Sequence, residues 1–169
     1  MSSKNDELLD AWASFFVAYG LSIKTIEDDL RGRTPLSLEE YDVLLVISRA
    51  PEGKMRLSNL ASETVFTRSG ITRITNRLGA RGLLSRESCR EDKRGTLATI
   101  TPAGKDALRS TWKLYSRSII SLFDPCFTHS EAQQLSGLLQ KVINRARNHP
   151  LIQIGTKQKG KEKKQRKPA

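Results

Sequence analysis

Five side chains in one stretch carry the densest chemistry of this 169-residue chain: Arg68, Thr72, Arg73, Asn76 and Arg77. Their spacing of three and four puts them on one face if the stretch is helical. A helix fits the DNA major groove, and side chains near its start reach base edges. Arg68, Ser69, Thr72 and Arg73 hold that position: arginine pairs bidentately with guanine, and short hydroxyls reach bases or phosphates. Gly70 leaves room for a close backbone approach, and Asn76, Arg77 and Arg81 lie further along, where phosphates run. A second cationic group, Arg90, Lys93 and Arg94, projects from a short polar turn that also holds Glu91, Asp92 and Gly95. Such a tip suits the minor groove, where negative potential concentrates. Asp92, two residues before Arg94, can pair with it and fix its direction. Either group alone also fits an ordinary solvated surface; their adjacency is what needs explaining.

The surrounding pattern supplies elements to hold both groups. Ser58 is expected to cap a short helix over 59–63, Thr64-Val65-Phe66 forms a turn, and Thr67 caps a helix over 68–80 whose inner face is Ile71, Ile74 and Leu78. Gly82 suits a left-handed stop. Residues 83–89 and 96–100 read as two strands joined by the charged turn, a hairpin. Upstream, Ser37 and Glu40 form a capping box, with Leu36 and Tyr41 as its hydrophobic staple. Thr101-Pro102 opens a later helix with stripe Leu108, Tyr115, Ile119 and Leu122, and Ser130 with Gln133 is expected to box the last one. The first helix, roughly 4–30, carries the stripe Leu8, Trp12, Phe15, Phe16, Tyr19, Ile23, Ile26 and Leu30. Three long amphipathic helices exceed what one small domain covers, so they need a partner surface.

The fold class expected is mainly α with a small β-hairpin wing. A winged helix-turn-helix domain spans 36–104, flanked by dimerisation helices at 1–35 and 105–150, with a basic tail at 151–169. The chain carries a formal charge of +11, and seven basic residues against one acid between Lys157 and Lys167 contribute +6 of it. The body therefore remains basic, which points to a polyanion. The tail either adds phosphate contacts or solvates the chain, and a tail of this composition is expected to be disordered.

Several classes are disfavoured. His129 and His149 stand alone, and no Ser/His/Asp set, Gly-rich phosphate loop or spaced carboxylate pair exists, so no enzyme is expected. Cys89 and Cys126 are far apart and form no Cys/His cluster, so no metal, cofactor or disulfide framework is expected. No leader and no apolar run of membrane-spanning length is read, so the expected setting is cytoplasmic and nucleoid-associated, with no membrane partner.

The stretch Leu57 to Gly104 resembles the MarR family. Leu57-Ser58-Asn59-Leu60-Ala61 is similar to its helix-start pattern and Ser69-Gly70-Ile71-Thr72-Arg73 to its recognition helix. Leu78 to Leu83 is similar to the exit into the wing, and Asp92-Lys93-Arg94-Gly95 followed by Ile100 to Gly104 to the Asp-x-Arg wing signature. The resemblance implies an obligate homodimer binding double-stranded DNA as a transcriptional regulator, a repressor on a palindromic operator of roughly 16–20 base pairs. It also implies a small aromatic or phenolic effector between the dimerisation helices and the winged domain, with Trp12, Phe16 and Tyr41 as candidate walls. Aromatic residues at helical spacing are more often core material. Some relatives sense oxidants through a cysteine near the end of the first helix; this chain has none there. The alternative reading is an architectural, nucleoid-type binder with weak sequence preference; an RNA-binding winged helix is a further one.

Overall fold

The computed structural model describes residues 3–88 and 96–149. In chain order the elements are α1 (Lys4–Leu30), α2 (Leu38–Arg49), a 3-10 turn (Pro51–Gly53), β1 (Lys54–Arg56), α3 (Leu57–Glu63), α4 (Arg68–Ala80), β2 (Leu84–Ser88), β3 (Thr96–Ile100), α5 (Pro102–Phe123), a second 3-10 turn (Asp124–Cys126) and α6 (His129–Arg147). The chain divides into two compact units, Met1–Leu122 and Phe123–Ala169.

Helix boundaries follow side-chain chemistry. Ser37 accepts the Glu40 amide while the Glu40 carboxylate accepts the Ser37 amide, the reciprocal box expected there. Leu36 and Tyr41 are both buried in the main core, as a staple requires. Thr67 opens α4 and Thr101 opens α5, its hydroxyl accepting the Gly104 amide at 3.0 Å. Two expected caps move. Helix α3 starts at Leu57, with Arg56 in the cap position and Ser58 already inside the helix. Strand β1 runs straight into α3, so no residue is left between them for a side-chain cap. Helix α6 is boxed by Thr128 and Glu131, with Ser130 and Gln133 inside it. A full carboxylate at the third position is a stronger acceptor for the exposed amide than glutamine. A further box, Ser3 with Asp6, opens α1.

The sheet has three antiparallel strands in the order β1-β3-β2, one more than the hairpin read from sequence. Strand β3 pairs with β1 (Lys54↔Thr99 to Arg56↔Leu97) and with β2 (Leu84↔Ile100 to Ser88↔Thr96). Period-two alternation sends Ala98 and Ile100 inward. Leu83 lies just before β2, while Cys89 and the charged turn 90–95 lie outside the described residues.

The core joins Val43, Leu44 and Ile47 of α2, Leu60 of α3, and Ile71, Ile74 and Leu78 of α4 to the inner face of β3. Burying each such side chain is worth about 1.5–3 kcal/mol, which fixes α4 with its polar face outward. A smaller cluster sets Ile26 and Leu30 of α1 beside Leu38, with Leu114, Ile119 and Leu122 of α5 packed against it. The earlier part of α1 is different. Leu8, Trp12 and Phe16 remain 59%, 60% and 63% exposed. Helix α6, in the second unit, buries none of its residues and leaves Leu138, Val142 and Ile143 exposed.

Candidate nucleic-acid interface

Helix α4 is anchored at its start by Thr67. This residue adopts extended geometry, and its Oγ1 accepts the Gly70 amide at 3.1 Å and meets Ser69 Oγ at 3.1 Å. A methyl group on Gly70 would come 3.2 Å from that cap oxygen, so the glycine keeps the first turn tight. The buried Thr75 hydroxyl turns back to the Ile71 carbonyl at 2.8 Å, which removes an unpaired donor from the inner face.

The outward face brings together the residues expected from spacing. Thr67, Arg68, Ser69, Thr72, Arg73, Asn76 and Arg77 are all exposed, and Gly70 is half-buried among them. The guanidinium groups of Arg68 and Arg73 have no hydrogen-bond or ion-pair partner among the described residues. The first turn of α4 contains no acid, so the positive end of the helix dipole adds to these guanidinium groups. Thr72 Oγ1 donates to the Arg68 carbonyl at 3.0 Å, leaving its lone pairs outward.

The contacts of three arginines were not visible in the pattern. The Arg86 guanidinium donates to Asn76 Oδ1, tying β2 to the exposed face of α4. Arg86 stands opposite Ala98 in the ladder, on the face that carries this buried residue, so its side chain extends towards α4. Its strand position was the available signal. Arg77 is held by two acids at the start of α2, with Nη2 3.2 Å from Glu39 and Nε 3.4 Å from Glu40. Arg81 Nη1 lies 2.9 Å from Glu40, and its other terminal nitrogen donates to the Pro35 carbonyl.

Strands β2 and β3 stand beside α4, and their ladder ends at Ser88 and Thr96. The wing-tip candidates Arg90, Asp92, Lys93 and Arg94 fall between these ends, outside the described residues.

The aromatic candidates are dispersed. Tyr41 is buried, stacking on Trp112 at 6.3 Å and meeting Tyr115 edge-on at 5.2 Å. Burial raises the phenol pKa of both tyrosines, which keeps them neutral hydrogen-bonding groups. Trp12 and Phe16 instead stack on each other along exposed α1, and no ring contact joins them to Tyr41 among the described residues. A cleft at the α1–α2 junction, lined by Glu27, Leu30, Pro35 and Leu38, includes none of the three. Among the described residues no group of three or more His, Cys, Asp or Glu side chains could hold a metal, and no helix is long and apolar enough to cross a membrane.

A helix-turn-helix whose second helix presents free cations, followed at once by a sheet that builds a wing, defines a winged helix-turn-helix protein. Residues 34–95 match the model of the MarR family. The chain is 28% identical over 100 residues to the HTH-type transcriptional regulator PapX of Escherichia coli, covering 59% of this chain and 52% of PapX, so it spans about half of that relative. Among solved structures it resembles the transcriptional regulator BldR of Sulfolobus solfataricus (25% identity, TM-score 0.74, covering 85% of this chain and 99% of that one). It also resembles Sco3205, a MarR family transcriptional regulator of Streptomyces coelicolor solved in complex with DNA (23% identity, TM-score 0.73, covering 86% and 89%). Residues 34–95 are thus similar to the MarR family, and the proteins matched here are named as transcription regulators.

Proposed function

We propose that this protein is a sequence-specific regulator of transcription that binds double-stranded DNA as a homodimer and represses from a palindromic operator. The observation that carries this is the outward face of α4, where Arg68 and Arg73 are exposed and uncommitted at the amino-terminal end of a helix braced by Thr67 and by Arg86. Arg68, Ser69, Thr72 and Arg73 read base edges; Thr67 and Gly70 bring the backbone close; Asn76 and Arg77 serve phosphates. Arg90, Lys93 and Arg94, oriented by Asp92, enter the minor groove. The Sco3205 complex with DNA supports this use of the fold.

Dimerisation is the second part of the reading. From Leu8 to Leu21, α1 carries apolar side chains around most of its circumference, including Leu9, Val17 and Leu21 outside the main stripe, and these are exposed in the single chain. A helix apolar on most sides requires burial from several directions, which a second copy supplies. Segments 1–35 and 105–150 are assigned to that contact. A small aromatic effector is the third part, supported by the ring cluster of Tyr41, Trp112 and Tyr115 between the winged core and α5.

The test is selection of bound duplexes from a random pool, followed by titration of the enriched site. Arg73→Ala is expected to cost about 1–3 kcal/mol on the selected site and little on random DNA. Arg94→Ala is expected to weaken all duplexes alike. Uniform enrichment across the pool would favour the architectural binder instead, and wild-type binding by both variants would refute the interface.

A further inference from the structure

Adjacent carboxylates at the start of α2, Glu39 and Glu40, meet the carboxy-terminal half of the recognition helix in different ways. Glu40 is buried, and its oxygens already serve the Ser37 amide, Arg81 Nη1 and Arg77 Nε. Glu39 makes one described contact on α4, Arg77 Nη2 at 3.2 Å, with both side chains more than two-fifths exposed. By helical spacing Ser69, Thr72 and Asn76 lie near the middle of the outward face, and Arg77 lies on its flank towards α2. The arginine best placed to follow a phosphate strand beside the groove is therefore the one an acid of the same chain already holds.

We infer that Glu39 is a positioning residue that occupies Arg77 in the absence of DNA and yields it to a phosphate on binding. It thereby lowers affinity for duplexes of every sequence. The inference rests on the duplex-binding reading above. The physical grounds are that an exposed ion pair is weak and easily exchanged, whereas a phosphate presented in a groove comes with the field of the whole duplex. Glu40 is buried, and giving up Arg77 would leave its Oε1 without the partner described for it, whereas Glu39 is exposed to water that replaces the arginine at little cost. The neighbours thus divide the work: Glu40 fixes the helix, and Glu39 restrains one cation on it. Because a phosphate contact carries no sequence information, this restraint lowers affinity for selected and random sites alike and leaves their ratio unchanged.

The experiment compares wild type, Glu39→Gln, Arg77→Ala and the double variant on one random-sequence duplex over a range of salt. Glu39→Gln is expected to bind about two- to fivefold more tightly at low salt, the range of an exposed ion pair. The gain should shrink as salt rises. Because a freed Arg77 displaces a counterion, the slope of log affinity against log salt should steepen, by at most ~0.9 for one phosphate. In the Arg77→Ala background the same glutamate change should give no gain. Unchanged or weaker binding by Glu39→Gln would overturn the inference. So would an equal gain with and without Arg77, which would reduce the effect to removal of a negative charge near DNA. Wild type indifferent to duplex DNA at low salt would instead overturn the function itself, and the inference with it.

Discussion

A methyl group added at Gly104 should loosen the base of the wing. Gly104 is the third residue of α5, and a Cβ built there would lie 2.2 Å from the Leu83 carbonyl oxygen and 2.9 Å from Ile100 Cγ1. Ordinary contact needs more than 3 Å, so one partner must move by about an ångström. The carbonyl cannot yield cheaply, because it accepts the Thr101 amide at 3.2 Å. Overpacking of this kind costs about 1–3 kcal/mol, and alanine recovers up to about 1 through helix propensity. The net expectation for Gly104→Ala is a loss of about 1–2 kcal/mol, or a melting temperature lower by roughly 2–8 °C for a protein of this size. Gly79 in α4 provides the matched control. A Cβ there would sit 3.7 Å from the Leu84 carbonyl, which is ordinary contact, so Gly79→Ala should be neutral or stabilising by up to about 1 kcal/mol. The assay is thermal and urea denaturation of all three proteins at one fixed concentration, since self-association would make stability concentration-dependent. Gly104→Ala as stable as Gly79→Ala would refute the claimed close approach of α5 to the wing base.

Further expectations test the positioning of α4 and the integrity of the helices. Glu40→Ala should cost about 2–3 kcal/mol by removing a cap and a charge-assisted bond to Arg81. Glu40→Gln keeps a capping acceptor and should cost less, so equal urea midpoints would contradict the assigned network. Thr111 is fully buried, and its hydroxyl has no hydrogen-bond partner among the described residues; Thr111→Val should raise stability by about 1 kcal/mol in the same denaturation assay. Hydrogen bonds from Ser3 and Thr128 hold the Asp6 and Glu131 carboxyls below their usual pKa. A depressed folded-state pKa stabilises above the unfolded value and is lost as pH falls through the folded one. The ends of α1 and α6 should therefore fray on acidification through and below the ordinary carboxylate range. Circular dichroism of Glu131→Gln should show a flatter acid limb than wild type.

Local chemistry made part of this protein readable in advance. Thr67 and Gly82 bracket α4 because one caps and the other, at φ +67°, accepts a left-handed turn that other residues resist. The spacing Ile71, Ile74, Leu78 then decides which face of α4 turns outward, so that face was legible from its own residues. What escaped depends on partners distant in the chain. Strand β1 is three residues long, too short to show alternation, and exists because β3 offers it a free edge. The hold of Glu39 and Glu40 on Arg77 and Arg81 joins residues 38 and 41 positions apart, and no window of sequence contains both sides. Ser58 and Ser130 are plausible caps by type, but neighbouring backbone and a stronger acid box set the actual starts.

Strand β3 lies in the middle of the sheet, hydrogen-bonded on one edge to β1 and on the other to β2. The β2–β3 pair is therefore tied into the rest of the sheet. Tilting it requires either breaking the β1 ladder or carrying along the segment that leads directly into α3. In the proposed complex, a duplex pressing on β2 and β3 would push against α3, and a shift of α3 would be felt in β3. On that reading β3 and α3 would move together, and amides of β3 should exchange with solvent more slowly than those on the outer edge of β2.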